Sequence, residues 1–276
     1  MKAVLHTVDL DRIAALVHEA AGIVITEEKS AMVQARLSPR LRATGTKAFG
    51  EYIDFVTSDA GRDERGPFIR ALTTNLTRFY REPHHFTDFR EKLLPSLLPR
   101  LKKGGKVRIW SSACSTGEEP YSIAFDILRT IPDAAKYDIR VLATDIDSDV
   151  VAQAKQGRYA ERIVKNVPDD LRNSFFTAAG AGAAREHCVV QAAKDLITFR
   201  ELNLLHPWPV KGPFDAIFCR NVMIYFNRDT QEMLLERFAA LVNDHARLYL
   251  GHSERVTGKA QARFENTGMT TYIARA

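Results

Sequence analysis

The sequence predicts an α/β protein in which a small, all-helical N-terminal domain precedes a doubly wound, mainly parallel β-sheet. Apolar residues recur at helical spacing over residues 1–95, whereas short β-branched or apolar runs alternate with helical stretches after residue 106. Such alternation is typical of strand–helix–strand units in a parallel sheet. A chain of 276 residues is long enough to form both cores.

In the N-terminal part, two helices are indicated by apolar spacing and by their end signals. Apolar residues follow at i, i+3, i+4 and i+7 from Leu10, and Gly22 ends this first helix. A second helix should begin after Thr26, and Pro39 should kink or split it. Further helical patterns cover 48–58 and 65–76.

The first third of the chain carries the whole excess of positive charge. Residues 1–106 hold 18 basic and 13 acidic side chains, whereas residues 107–276 hold equal numbers. Lys29, Arg36 and Arg40 form a basic stripe along the second helix. We expect this stripe to dock an acidic partner, and the alternative is a solvated face without a partner.

The domain limits follow from changes in pattern. Residues 96–106 contain a proline and two glycines and are predicted to be a linker between the helical domain, 1–95, and the sheet domain, 107–276. The strand candidates are VRIWSS, IRVLATD, ITFREL, FDAIFC and ARLYLG. The insert at 157–196 is too long for a plain connection, and its stretch TAAGAGAA suggests a small subdomain with a mobile loop.

Composition excludes several classes of protein. The three cysteines are far apart and lack the spacing of a disulfide framework or a zinc site. No apolar run approaches the roughly 20 residues of a membrane span, and the N-terminus lacks a signal peptide, so a cytoplasmic location is expected. His84 and His85 are adjacent and should point apart on a helix, so no metal site is predicted.

The turn after the first strand, SSACSTGEEP, points to a nucleoside cofactor. It contains only Gly117, whereas NAD or FAD would require a glycine-rich turn for the pyrophosphate. S-adenosylmethionine has no phosphate, and its ammonium group suits Glu118. Asp145, at the end of the second strand, suits ribose hydroxyls. The alternative is that Asp145 and the acids after it only cap a helix.

Two further segments carry unusual polar residues. In LTTNLTRFYRE, Asn75, Thr77 and Arg81 form either a hydrogen-bond network at a domain boundary or a site in which Arg81 binds the cofactor carboxylate. In CRNVMIYF, Asn221 lacks the following prolines of enzymes that methylate base amino groups. Tyr225 is either a core residue or an aromatic near the reaction centre.

Taken together, these segments resemble the chemotaxis-receptor (protein-glutamate) methyltransferase family, CheR-type. The matching pieces are TTNLTRFYREPHHF, STGEEPYS, ATDID, LNLL, GPFDAIFCRNVMIYF and GHSE, in this order, and they extend across most of the chain. The resemblance implies a helical domain joined to an S-adenosylmethionine-dependent methyltransferase sheet that carries an inserted antiparallel β subdomain.

The resemblance also implies roles for individual residues. Asn75, Thr77 and Arg81 should contact the methionyl part of the cofactor, and Glu118 should contact its ammonium. Asp145 should bind the ribose, and Asn203 with Leu204 should contact the adenine. Arg220 and Asn221 should line the remaining wall, and Tyr225 should lie beside the transferred methyl. The family uses an arginine of the interdomain linker, for which Arg100 is the nearest candidate.

The implied activity is transfer of the methyl group of S-adenosylmethionine to glutamate carboxylates of chemoreceptors, with S-adenosylhomocysteine as product. The implied partners are the receptor's cytoplasmic helical bundle and, through the β subdomain, a receptor C-terminal peptide. We expect a monomer that neither binds nucleic acid nor inserts into a membrane. The alternatives are an RNA or DNA methyltransferase and a non-catalytic receptor-binding scaffold.

Overall fold

The structure, a computed structural model, describes residues 3–180 and 185–276. The chain divides into two compact units, Met1–Thr74 with Tyr225–Thr230 and Asn75–Ile224 with Gln231–Ala276. The predicted boundary lay at residue 95 and the predicted linker at 96–106. The structure differs, because residues 75–95 belong to the second unit and a helix covers Leu94–Lys102. Pro99 lies on the exposed side of that helix, where a missing backbone hydrogen bond is tolerated.

Four helices form the first unit, as the apolar spacing predicts. They are α1 (Thr7–Ala21), α2 (Ser30–Thr44), α3 (Phe49–Thr57) and α4 (Arg65–Leu72). Buried side chains from the helices meet in one core, among them Ile13, Val33, Leu37 and Phe49. Gly22 ends α1 in the left-handed conformation with a φ of 70°, as predicted.

Pro39 does not split α2, and of the two predicted effects only the kink stays a prediction. The helix continues from Ser30 to Thr44 with Pro39 inside it. Both Pro39 and Ala35, one turn earlier, are exposed, so the carbonyl that loses its partner can be hydrated. Burial of Val33 and Leu37 on the opposite face keeps the helix in place.

The second unit contains a seven-stranded sheet in the order β6-β2-β1-β7-β8-β10-β9. Its parallel strands are β1 (Lys106–Ser111), β2 (Asp138–Asp145), β6 (Ile197–Glu201), β7 (Phe214–Cys219) and β8 (Val242–Leu250). These are the five strand candidates of the sequence, which are confirmed. The antiparallel strands β9 (Phe264–Gly268) and β10 (Thr271–Ala274) were not predicted.

Helices separate most of these strands. Those outside the insert are α5 (Pro83–Asp88), α6 (Leu94–Lys102), α7 (Glu118–Thr130), α8 (Ser148–Gln156) and α12 (Arg228–Ala239). The chain builds outward from β1 through β2 to β6 and then returns to β7 on the other side of β1. The strand order therefore reverses between β1 and β7, and ligands of such sheets bind at the carboxyl ends of the strands next to this point.

The insert forms a separate three-stranded antiparallel sheet, as the family resemblance implies. Its strands are β3 (Arg158–Ala160), β4 (Phe176–Ala179) and β5 (Glu186–Val189), in the order β3-β5-β4. Its helices are α9 (Glu161–Val164), α10 (Asp169–Phe175) and α11 (Gln191–Asp195). Part of the predicted mobile loop, 181–184, lies outside the described residues. Among the described residues, no helix has the length and apolar character needed to cross a membrane.

Candidate cofactor site

The turn after β1 is tied to the end of β2. The backbone N–H of Ser115 donates to Asp145 Oδ2 over 2.8 Å, and that of Cys114 donates to the carbonyl of Thr144 over 2.8 Å. β1 and β2 are parallel neighbours, so both end at the carboxyl edge of the sheet. This edge lies next to the point between β1 and β7 where the strand order reverses. The two predicted segments therefore form one local structure.

Gly117 is required in this turn for packing. Its φ is 98°, and a Cβ atom there would lie 2.9 Å from Ala154 Cβ and 2.9 Å from the Tyr159 hydroxyl. A side chain would therefore strain the backbone and collide with α8 and the insert. The single glycine of the turn is explained by this close approach, which agrees with a ligand that brings no pyrophosphate.

Asp145 is buried at the end of β2, and burial raises the pKa of its carboxyl to about 6. The N–H groups of Ser115 and Asp147 donate to it over 2.8 and 3.1 Å and stabilise the ionised form. Asp147, by contrast, caps α8 and accepts from the N–H of Asp149 over 2.9 Å. The capping interpretation therefore holds for Asp147, whereas Asp145 ties the end of β2 to the turn after β1, and its role toward a ribose stays a prediction.

Asn75 belongs to the same hydrogen-bond network. Its side-chain amide donates to Asp147 Oδ2 over 2.8 Å, and its carbonyl accepts from the Ser115 hydroxyl over 2.9 Å. Thr77 is half-buried a few residues on, and Arg81 donates to the carbonyl of Leu76 over 2.9 Å. Of the three residues, Asn75 joins the network that includes Ser115 and Asp147, and the roles of Thr77 and Arg81 toward a cofactor stay predictions.

Glu118 is buried at the first position of α7, and desolvation raises the pKa of its carboxyl. The Thr116 hydroxyl donates to it over 2.6 Å, and the N-terminus of α7 favours a negative charge there. These contacts offset only part of the energetic cost of burying the charged carboxylate, since its pKa stays above the ordinary value. A ligand ammonium at this carboxylate would offset more of it, so the residue fits the methionyl end of S-adenosylmethionine.

Asn203 and Leu204 form the turn after β6. Asn203 Oδ1 accepts from the N–H of Leu205 over 3.0 Å, and Leu204 is buried. The Leu204 carbonyl accepts from the indole N–H of Trp208 over 3.0 Å. The guanidinium of Arg237 lies 3.8 Å from the centre of the Trp208 ring. The turn follows β2's neighbour in the sheet, and Leu204 offers an apolar side chain next to the end of β2.

Arg220 is buried after β7 between two carboxylates that the sequence did not single out. Its guanidinium nitrogens lie 2.9 Å from Glu119 and 3.2 Å from Glu82. Burial alone would raise the pKa of Glu82, but the charge of Arg220 and a hydrogen bond from Asn221 lower it to about 2. Arg220 is thus held by ion pairs within the protein. The adjacent Asn221 has a φ of 58° and donates its N–H to Glu254 over 2.9 Å.

His84 and His85 do not point apart, so that part of the sequence interpretation is wrong. Their ring centres lie 4.1 Å apart, because both rings turn back toward Glu82 at the start of α5. Burial lowers the pKa of His85 to about 3, and its Nε2 lies 3.1 Å from the carbonyl of Met269. Ligand atoms of Glu82, His84 and His85 fall within 4.8 Å of one another. Arg220 already pairs with Glu82, which disfavours a metal cation there.

Arg100 lies at the wrong edge of the sheet for an active-site arginine. It pairs with Asp215 over 2.5 Å, and Asp215 is the second residue of β7. The amino ends of the parallel strands therefore surround it, whereas the candidate site is at their carboxyl ends. The assignment of Arg100 as the linker arginine is wrong, because α6 runs back along the sheet before β1 begins.

Tyr225 and the basic stripe belong to the first unit. The Tyr225 carbonyl accepts from the N–H of Val24 over 2.8 Å, and the role of its side chain stays a prediction. The stripe is partly engaged: Lys29 donates to a loop carbonyl over 3.0 Å and Arg36 to two carbonyls at the end of α4 over 2.9 and 2.7 Å. Arg40 binds Glu64 with two hydrogen bonds of 2.8 and 2.5 Å.

Comparison with known proteins shows the class of protein, a methyltransferase with an S-adenosylmethionine-binding domain, and gives its family. The SAM binding domain of the CheR methyltransferases matches residues 75–273, and their all-alpha domain matches residues 8–73. The boundary between the two matches agrees with the division of the structure at residue 74. The chain belongs to the CheR methyltransferase family.

Curated relatives match along most of their length. The probable chemotaxis protein methyltransferase of Rhizobium etli is 46% identical over 257 residues, which cover 93% of this chain and 96% of that protein. The chemotaxis protein methyltransferase of Escherichia coli is 42% identical, covering 95% of this chain and 88% of that protein. Chemotaxis protein methyltransferase 2 of Pseudomonas aeruginosa is 40% identical, covering 96% and 92%.

Proposed function

We propose that this enzyme transfers the methyl group of S-adenosylmethionine to glutamate carboxylates of chemoreceptors and forms glutamate methyl esters for sensory adaptation. The observation that carries the proposal is the pair of buried carboxylates at the carboxyl edge of the sheet. Asp145 accepts from the N–H of Ser115 in the turn after β1, and Glu118 follows the same turn as the first residue of α7. The names of the relatives supply the pathway, which is chemotaxis.

Each part of the cofactor has a matching group. S-adenosylmethionine would supply an activated methyl on its sulfonium. Asp145 would accept hydrogen bonds from the ribose hydroxyls and Glu118 from the ammonium. The remaining contacts are assigned to Asn75, Thr77 and Arg81 at the methionyl end, to Asn203 and Leu204 at the adenine, and to Arg220 and Asn221 along the wall.

The proposed reaction does not require the protein to remove a proton from the nucleophile. A glutamate carboxylate has a reference pKa of about 4.3 and is ionised at neutral pH, so it attacks without a general base. The residues of the enzyme must instead orient the carboxylate in line with the methyl group and exclude water. Tyr225 is assigned to this positioning task on the basis of its place in the family motif.

The receptor would be recognised through charge and through the insert. The basic N-terminal third suits the acidic surface of a cytoplasmic helical bundle, with Lys29, Arg36 and Arg40 as docking residues. The insert has strand edges at β3 and β4, to which an extended receptor C-terminal peptide can add by main-chain hydrogen bonds. Such tethering raises the local concentration of enzyme near the methylation sites. The enzyme would act as a cytoplasmic monomer.

A methylation assay tests the proposal. Labelled S-adenosylmethionine is incubated with the protein and with either a receptor cytoplasmic fragment or total RNA and DNA. We expect label on the receptor only, released as methanol by mild alkali, because esters hydrolyse there. Alkali-stable label on nucleic acid would instead establish an RNA or DNA methyltransferase. Cofactor binding without any transfer would indicate a scaffold.

The docking role of the insert has its own test. The protein is titrated with receptor C-terminal pentapeptides, and methylation rates are compared for receptor fragments with and without that tail. We expect peptide binding and slower methylation of the truncated fragment. If no peptide binds and both fragments are methylated equally fast, the insert does not dock the tail.

A further inference from the structure

Glu254 holds the turn after β7 through backbone hydrogen bonds. Its side chain is buried in the turn after β8. One carboxylate oxygen accepts from the N–H groups of Gly251 and Asn221 over 2.5 and 2.9 Å. The other accepts from Val222 and Ile224 over 2.9 and 3.3 Å. A single carboxylate therefore satisfies four N–H groups from the two turns that follow β7 and β8.

The turn that Glu254 holds is tightly packed and unusual in conformation. Asn221 has a positive φ of 58°, and its side-chain amide donates to Glu82 over 3.3 Å. A Cβ atom on Gly251 would lie 2.5 Å from Asn221 Nδ2 and 2.7 Å from Asn221 N. Asn221 is thus fixed at both ends by carboxylates, its backbone by Glu254 and its side chain by Glu82.

A buried carboxylate is a costly way to stabilise a turn unless its charge is needed. Burial raises the pKa of Glu254, while the hydrogen bonds from Gly251, Asn221 and the following amides act in the opposite direction. Only an acceptor with two oxygens can receive all four N–H groups, and a neutral amide cannot. The ionised side chain therefore determines the shape of the segment that begins at Asn221.

We propose that Glu254 is a positioning residue for methyl transfer, whose carboxylate sets the conformation of the turn from Asn221 to Ile224, directly before Tyr225, the residue assigned to the transferred methyl. This inference rests on the proposed function. Glu254 acts through the turn and not by contact with the cofactor, so its loss should slow the chemical step more than it weakens cofactor binding. This role would explain the glutamate at the end of the GHSE segment, residues 251–254.

The test compares Glu254→Gln with wild type and with Glu265→Gln, which changes an exposed glutamate of β9. In Glu254→Gln an amide NH2 replaces one acceptor and faces backbone N–H groups. We expect at least tenfold faster amide hydrogen exchange at Asn221, Val222 and Gly251. We also expect at least a tenfold fall in kcat, with S-adenosylhomocysteine affinity changed less than threefold. Glu265→Gln should match wild type in all three measurements.

A second variant keeps the test decisive if Glu254→Gln does not fold. Gly251→Ala retains Glu254 but places a Cβ atom 2.7 Å from Asn221 N and 2.8 Å from Glu254 Oε2, so it separates the two groups and should lower kcat in the same way. Unchanged kcat in a folded variant, or unchanged amide exchange, overturns the inference. An equal loss of kcat and cofactor affinity overturns it as well. Failure of the proposed function looks different, because wild type itself would then transfer no methyl to receptor.

Discussion

Asp145 and Glu118 are ionisable groups whose carboxyl pKa values are both raised by burial in the ligand-free protein. A raised pKa means that protons compete with any ligand that requires the ionised form. In the proposed site, the ribose hydroxyls bind ionised Asp145 and the ammonium of the cofactor binds ionised Glu118. The two residues therefore link cofactor affinity to pH in the same direction.

We expect S-adenosylhomocysteine to bind with nearly constant affinity above pH 7 and more weakly toward pH 5. The pKa of Asp145 is raised to about 6 from its ordinary 3.8, so below pH 6 the carboxyl is mostly protonated. Affinity should then fall about tenfold per pH unit for each group that must ionise. Calorimetry between pH 5 and 8 measures this, and Asp145→Asn should show a shallower decline. Identical wild-type affinities at both ends of that range would rule out the linkage.

Tyr225 is assigned to the reaction rather than to binding, which makes a separate prediction at the same scale. Tyr225→Phe should leave S-adenosylhomocysteine affinity within about twofold, since the hydroxyl is expected to act mainly in the transition state. The turnover number on receptor should fall about tenfold or more. If steady-state kinetics show an unchanged turnover number, Tyr225 serves only in packing.

Among the elements, α2 shows that a basic stripe can be structural. Arg40 forms a forked ion pair with Glu64, which is buried and also accepts from the Tyr52 hydroxyl over 2.8 Å. Burial alone would raise the pKa of Glu64, but the hydrogen bonds from Arg40 and Tyr52 hold it below its ordinary value. Reversing all three stripe charges together would therefore mix a folding effect with a docking effect.

Arg40→Ala should lower the free energy of unfolding by roughly 2 kcal/mol, as expected for losing charged hydrogen bonds to a buried carboxylate. Because the pKa of Glu64 is depressed, this contribution is present above its ordinary value of 4.5 and is lost as pH falls through the lower folded value. Denaturant unfolding at pH 7 and pH 3 measures the difference. Lys29→Glu is the docking variant: it loses only the hydrogen bond to the Val24 carbonyl, so it should cost less stability than Arg40→Ala, and it should slow receptor methylation at low salt.

The sequence was sufficient to predict the elements in which runs of apolar or β-branched residues are clear. The parallel strands carry apolar or β-branched runs bounded by turns, most clearly in β7, which is buried along its whole length in the middle of the sheet. β9 could not be recognised, since four of its five residues are exposed and it pairs only through β10. The domain boundary was placed too late for a related reason. Residues 75–95 contain helical patterns but pack against the sheet.

For the whole molecule, the sequence could identify residues with distinctive chemistry, such as Asp145 at the end of β2 and Glu118 at the start of α7. It could not identify partners brought together by the fold. Ser115 reaches Asp145 across 30 residues and Glu119 reaches Arg220 across 101. The effect of Glu254 is likewise visible only when the turns after β7 and β8 are seen together. The sequence placed Arg100 near the site because it did not show the direction in which α6 runs.

Calorimetric titration with S-adenosylhomocysteine tests the cofactor site most directly, with wild type, Asp145→Ala, Arg81→Ala and the control Asp133→Ala, which changes an exposed aspartate. Asp145 and Arg81 are assigned to different ends of the ligand. We expect each substitution to weaken binding by roughly 1.5–3 kcal/mol, as for a lost charge-assisted hydrogen bond, and the control to bind like wild type. Wild-type affinity in both Asp145→Ala and Arg81→Ala would contradict this expectation.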